Sequence, residues 1–263
     1  TTSRKKTQTL KFDNINYTSF QFKGDDYDIE LIKNLKKSDY ILVSIPPREG
    51  TDLVIKNFSN IIENCNAKWI TYLSATSVYG DHKGDWVNEE SKTKPINSNG
   101  IDRLSAEKLW LSLNLNKKIP LQIFRLAGIY GPGRGPFVKV SKGTAKRIIK
   151  KGQVFSRIHV EDIARVLLAS INMPGKSGIY NVCDDLASPP EDVLTYAAML
   201  LEKEEPPEID FLSPKLSKMV RSFYSECKRV ENQKIKRELG IELKYSNYKS
   251  TQIFLKKFQR KKL

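Results

Sequence analysis

A cluster of hydroxyls closes an apolar run in this chain: Trp69-Ile70-Thr71-Tyr72-Leu73 is followed by Ser74, Thr76, Ser77 and Tyr79, with Gly80 behind them. Ligands of open α/β sheets sit outside the carboxyl ends of the strands, so hydroxyls at such an end can face a substrate carbonyl or hydroxyl. The glycine then lets the chain turn away. His159 stands near Glu161 and Asp162, the residue types of an acid/base pair, but a lone histidine in that setting reads as structural. Arg134, Arg221, Lys228 and Arg229 would suit an anionic ligand, against the plainer reading of a solvated basic face. Phe223, Tyr224, Tyr245 and Tyr248 read as packing rather than as a stacking platform. Cys65, Cys183 and Cys227 are far apart and odd in number, which suits reduced thiols and a cytoplasmic protein. Neither they nor His82 and His159 stand at ligand spacing, so no metal is expected.

Positioning such residues takes strands and helices in alternation. Residues 15–22 alternate apolar and polar as a strand does, and 25–36 begin acidic and end basic, as a helix dipole prefers. The run 40–45 is continuously apolar apart from Ser44 and ends at Pro46-Pro47, the mark of a buried parallel strand. Helical spacing follows over 51–65 (Leu53, Val54, Phe58, Ile61, Ile62 inward), a strand over 69–73, a helix over 101–115 (Leu104, Leu109, Leu111 inward) and a strand over 121–126. Beyond Gly131-Pro132-Gly133 the pattern predicts a helix over 137–150, a strand over 154–158, a helix over 160–171, a strand over 179–182 and a helix from Pro189-Pro190 to about Leu201. Further helical stretches fall at 230–239 and 248–257. Strands separated by helices in this way imply a doubly wound α/β protein with a mainly parallel sheet. The expected division is a main domain over 1–175 and a smaller substrate-side lobe over 176–263.

With 263 residues, 39% of them hydrophobic, the chain can bury a substantial core and is not a disordered protein. No apolar run approaches the roughly 20 residues of a membrane helix. The net charge of +15 invites a nucleic-acid reading. The excess is spread along the chain, however, with one true cluster at Lys256, Lys257, Arg260, Lys261 and Lys262, so solvated basic faces are the better account. A small-molecule ligand, and at most a homodimer, are the expected partners.

Five blocks together carry a family resemblance. Leu73 to Asp81 (LSATSVYGD) resembles the strand-end motif of extended short-chain dehydrogenase/reductase proteins, the group of NAD-dependent nucleotide-sugar epimerases and dehydratases. Arg103-Leu104-Ser105-Ala106-Glu107 is similar to the helix that carries that family's YxxxK. The blocks beginning at Arg125 (RLAGIYGPG), Arg157 (RIHVEDIA) and Gly178 (GIYNVCDD) follow in the family's order. The tail from Arg229 to Gly240 agrees too. The resemblance implies a Rossmann-type fold, an NAD(P) site, and an oxidoreductase, epimerase or dehydratase acting on a small substrate that is nucleotide-linked or phosphorylated.

It also exposes departures. The family's Ser or Thr, four residues before the motif tyrosine, falls on Ala75; the YxxxK tyrosine falls on Asn99 and its lysine on Arg103. An amide cannot exchange a proton near neutral pH, and arginine is a permanent cation. This matches the atypical members, in which the nucleotide site persists without the usual tetrad. The catalytic candidates are then Thr76 and Ser74, as hydroxyl donors, and Arg103, which would also touch the cofactor. No Gly-rich GxGxxG turn occurs in the chain; the resemblance places it in a strand and helix of roughly 30 residues ahead of Thr1. Ser3, Arg4 and Lys5 then correspond to the strand end that reads the adenosine ribose, and Arg4 there implies NADP over NAD. Ser44, Ile45 and Pro46 complete the implied cofactor set, and Tyr79, Arg134 and Arg221 the substrate set. The alternative is a non-catalytic nucleotide-sensing relative.

Overall fold

Asp28, Asp52, His159 and Ser217 each convert an extended residue into a helix start. In the computed structural model, which describes residues 1–173 and 176–251, their side chains accept backbone N–H groups of the first helical turn. The chain opens with β1 (Thr2–Ser3), β2 (Gln8–Phe12), β3 (Ile15–Gln21), α1 (Ile29–Lys36), β4 (Tyr40–Val43), α2 (Leu53–Asn64) and β5 (Trp69–Ala75). A 3₁₀ turn (Thr76–Tyr79) leads to β6 (Trp86–Val87), α3 (Ser98–Lys117), β7 (Leu121–Leu126) and β8 (Gly128–Tyr130). Then come α4 (Pro136–Ser141), β9 (Arg147–Ile149), β10 (Arg157–His159), α5 (Val160–Ile171), β11 (Gly178–Val182) and α6 (Pro190–Leu200). β12 (Glu208–Asp210), α7 (Lys218–Phe223), β13 (Arg229–Val230), α8 (Gln233–Leu239) and a 3₁₀ turn (Tyr248–Thr251) end it. None of the described helices is long and apolar enough to cross a membrane.

Two compact units emerge, and they interleave along the chain instead of meeting at the expected boundary of 175. One comprises Thr1–Ser74 and Asp102–Ile123 with a short segment ending at Gly178; the other takes Ala75–Ile101, Phe124–Met173 and the chain from Ile179 on. The physical reason is strand crossover: the long strands β5 and β7 begin in the first unit and end in the second.

In the first unit, β3 pairs in parallel with β1 and antiparallel with β2. The β2–β3 hairpin was not expected; it turns through Asp13 and Asn14, both with positive φ (45° and 63°), as a two-residue hairpin loop requires. β4 runs parallel to β5, at the end of a sheet ordered β11-β7-β5-β4. It is not the fully buried strand that 40–45 suggested. Ile41 and Val43 face the core while Tyr40 and Leu42 are exposed, so one face of β4 is packed and the other is open. Helix α3 buries Ala106, Glu107, Trp110 and Leu113 and leaves Leu109 exposed, a different face from the leucine stripe read in the sequence. Trp110 stacks on Tyr72 with ring centroids 5.8 Å apart.

The second unit is built from short parallel pairs, β8 with β10, β9 with β12 and β6 with β13. Val140, Ala145, Ala197 and Ala198 form a small core with Phe137, Leu194 and Leu201 packed against it. The helix expected over 137–150 stops at Ser141, because Gly143 takes a left-handed conformation (φ 67°) and β9 follows. The strand expected at 154–158 forms later, at Arg157–His159, and the helix expected from 230 starts at Gln233, because Arg229 and Val230 pair with β6. Helix α5 matches its expected span. The stretch 248–257 starts as a 3₁₀ turn, and its remainder, with the basic cluster from Lys256, lies outside the described residues.

Candidate functional site

Within the first unit, the carboxyl end of β5 is held by one face of α3. The Arg103 guanidinium donates to the Leu73 carbonyl at 2.5 Å and to the Tyr72 hydroxyl at 3.3 Å, and sits over the Tyr72 ring. One helical turn on, Glu107 accepts the Ser74 hydroxyl at 2.5 Å; both are almost fully buried. Arginine at this position thus serves as a brace. Its planar fork reaches a carbonyl and a ring face together, which a lysine ammonium cannot reproduce. Burial pushes the Tyr72 hydroxyl well above the usual tyrosine range, against the pull of Arg103, so it stays protonated and is no proton shuttle near neutrality.

Within the second unit, the start of α3 presses on the 3₁₀ turn that follows β5. A Cβ on Gly100 would lie 2.7 Å from the Ser77 carbonyl oxygen and 2.8 Å from Pro95 Cβ, so only glycine permits this approach. The Asn97 side chain accepts the Gly100 N–H at 2.8 Å.

The expected catalytic hydroxyls separate here. Ser74 is corrected: it is only 3% exposed, and its hydroxyl donates to Glu107. Thr76 is half-buried and its hydroxyl makes no hydrogen bond among the described residues, so it remains a free donor. Ala75 presents only a methyl group and Asn99 is exposed. Of the expected cofactor residues, Ser44, Ile45 and Pro46 follow the carboxyl end of β4, the first and third exposed. Ser3 ends β1 and accepts the Lys5 N–H at 3.2 Å, while Arg4 and Lys5 are exposed.

Tyr79 also needs correction as a substrate residue. It has no exposed surface; its hydroxyl donates to Asn181 Oδ1 at 2.7 Å and accepts from Arg125 at 2.9 Å. Burial raises its pKa to about 12 against the opposing pull of Arg125. Tyr79→Phe removes a bond from a buried cation and a buried amide at once, and should cost roughly 1–3 kcal/mol, read as a lower urea midpoint; an unchanged midpoint would show the hydroxyl to be dispensable. Arg221 is engaged too, donating to the carbonyls of Phe211 (3.2 Å) and Ser213 (2.6 Å). Lys228 binds Gly80 O and Glu226, and Arg229 binds the Gly84 carbonyl. Arg134 alone of the four basic candidates is exposed, at the Gly131–Arg134 turn. His159 is the N-cap of α5, its Nδ1 accepting the Glu161 N–H at 3.2 Å. Burial lowers its pKa despite Asp162 and Glu161 nearby, which keeps the ring neutral and the cap in place.

The sequence reading missed Glu107, a buried acceptor for the Ser74 hydroxyl, and Asp184, which is 2% exposed with its carboxyl pushed up to about 8 by burial. It also missed Asp102, whose signal was faint: a carboxylate directly before Arg103.

An α/β frame in which β4 runs parallel to β5 is that of the Rossmann-type proteins. The model of the NAD dependent epimerase/dehydratase family matches residues 53–183. A structure described as a functionally unknown conserved protein from Silicibacter pomeroyi DSS is 49% identical, covers 84% of this chain and 77% of its own, and superposes with a TM-score of 0.77. The chain belongs to the NAD dependent epimerase/dehydratase family. Protein YeeZ of Escherichia coli K12 is 27% identical over 230 residues, 84% of this chain and 75% of that protein. UDP-glucuronic acid 4-epimerase from Bacillus cereus, solved in complex with NAD, shares the fold at 16% identity and TM-score 0.70, over 91% of this chain and 81% of its own.

Proposed function

We propose that this chain is an NAD(P)-binding enzyme of the family that acts on a small substrate, nucleotide-linked or phosphorylated, through a reduced set of catalytic groups. The observation that supports this reading is the half-buried Thr76 hydroxyl, unengaged among the described residues, in the turn that follows β5. Thr76 would hydrogen-bond the substrate oxygen, and Arg103 would fix the strand end against the cofactor. A bound nicotinamide would supply hydride transfer, with the proton taken from outside the protein, because Asn99 cannot provide one. Arg4 is the sole residue behind a preference for NADP, while the B. cereus epimerase was solved with NAD; NAD is the first cofactor to test.

Fluorescence titration with NADH and NADPH should show saturable binding of at least one, and saturation by neither would end this reading. On a panel of nucleotide sugars, Thr76→Ala should lower kcat on the order of 10²-fold, as loss of one donor to a developing charge does, with KM little changed. The second reading, a sensing relative, is favoured by the commitment of Ser74 to Glu107 and the bare methyl of Ala75. It predicts cofactor binding with no turnover of any substrate in the panel.

A further inference from the structure

The loop that leaves β4 contains a turn held from outside. Arg48 and Thr51 exchange backbone hydrogen bonds of 3.0 and 2.8 Å, and the two residues between them, Glu49 and Gly50, both have positive φ, 51° and 73°. Glycine adopts that conformation freely; glutamate does not, and a non-glycine residue stays there only when its surroundings over-determine it. What does so here is Asp102 on α3. Its two carboxylate oxygens accept the Glu49 N–H at 3.1 Å and the Gly50 N–H at 2.8 Å. Successive N–H groups in left-handed conformation form a concave anion seat, and this one is filled by a carboxylate of the same chain.

The same helix grips the loop a second time. Asp52, 3% exposed, caps α2 with one oxygen and accepts the Trp110 indole N–H at 3.1 Å with the other. Asp102 also adjoins Arg103, which braces β5. Adjacent residues of α3 thus reach two segments, Asp102 the 48–51 turn beyond β4 and Arg103 the carboxyl end of β5, and ligands of open α/β sheets lie across such strand ends.

We propose that Asp102 is a positioning residue for the cofactor crevice: by seating the 48–51 turn it sets the course of Ser44, Ile45 and Pro46, against which a dinucleotide would lie. The inference rests on the NAD(P)-binding reading given above. Because the carboxylate reaches backbone groups, side-chain changes elsewhere in the turn leave the contact intact, whereas loss of the acceptor frees both N–H groups and lets Glu49 relax to negative φ.

The test compares the unaltered protein with Asp102→Ala and Asp102→Asn in NADH titration, thermal melting and amide hydrogen exchange. Asp102→Ala should weaken NADH binding about tenfold, as expected for lost preorganisation, and speed exchange at Glu49 and Gly50 by a similar factor. Asp102→Asn keeps one acceptor and should fall between. A residue that merely stabilised the fold would lower the melting temperature and leave the affinity of the folded protein unchanged. Equal NADH affinity in all three proteins overturns the assignment. If the unaltered protein binds neither NADH nor NADPH, the NAD(P)-binding reading itself has failed, and the role of Asp102 goes with it. Should Asp102→Ala not fold, Asp102→Asn decides: a weakened affinity supports the role, and an unaltered one rejects it.

Discussion

Gly80→Ala should leave the protein largely unfolded, or lower its stability by more than about 3 kcal/mol, the range in which a forced backbone change dominates a single substitution. Gly80 has φ 70° and ψ −149°, a region that residues bearing a Cβ scarcely enter. An added Cβ would lie 1.9 Å from the Lys94 carbonyl oxygen and 2.6 Å from its carbon, with no flexible side chain to move aside. The contact matters because Lys94 N–H donates to the Tyr79 carbonyl and the Gly80 carbonyl accepts from Lys228, so the turn after the hydroxyl cluster is tied on both sides. Gly143→Ala is the matched control: its φ is also positive, at 67°, but nothing lies within 4 Å of the added Cβ. It should cost only the strain, about 1 kcal/mol. Comparable urea midpoints for the two variants would mean that the segment bearing Lys94 yields to the intruding methyl group.

The order of elements was readable where burial and local pattern agreed. Helix α5 shows the full case: a carboxylate-rich first turn, apolar Ile163 and Val166 facing inward, and a cap in His159. β7 is equally plain, its first five residues buried. The pattern misled where packing overrode it. Strand β2 carries exposed Phe12 beside an exposed lysine, so its alternation pointed nowhere, and the usable signal was the Asp13-Asn14 turn. In α3 the buried face includes a glutamate and the exposed face a leucine, because the Ser74 hydroxyl provides Glu107 with a partner inside. Such a pair is invisible in one dimension: it links residues 33 positions apart.

For the site, the strand-end block and the helix bearing Arg103 were identified, and Arg103 reaches the Leu73 carbonyl near the end of β5. What spacing could not show was which hydroxyl is committed. Ser74 and Thr76 are chemically similar and two residues apart, so they leave the strand in similar registers. Only the position of Glu107 distinguishes them, taking one and leaving the other free. The basic candidates divide for the same reason. Arg221, Lys228 and Arg229 are occupied by nearby carbonyls, a use that a charge count cannot separate from anion binding, whereas Arg134 is exposed at a glycine-rich turn.

Asp184→Asn should stabilise the protein above neutral pH and flatten its pH dependence. Asp184 is 2% exposed; one of its oxygens accepts the Leu186 N–H at 3.2 Å. The other is buried beside the Tyr130 hydroxyl, the two acting on each other's titration. Burial raises the carboxyl pKa to about 8, with the buried Arg157 pulling weakly the other way. The Arg157 guanidinium is directed to the carbonyls of Phe155 and Ser188, which explains why it does not hold the carboxylate ionised. An unfolded aspartate titrates near 3.9, so between about pH 4 and pH 8 the folded state binds the extra proton. Its contribution to stability is complete below pH 4, is lost as pH rises through that window at up to about 1.4 kcal/mol per unit, and changes no further above pH 8. Asparagine has the shape of the protonated form and keeps it at every pH. The difference in urea midpoint between Asp184→Asn and the unaltered protein should therefore be small at pH 5 and grow in favour of the variant by pH 8.5. A variant less stable at pH 8.5 would show an ionised Asp184 paired with Arg157, and the same loss at every pH would assign the residue to packing alone.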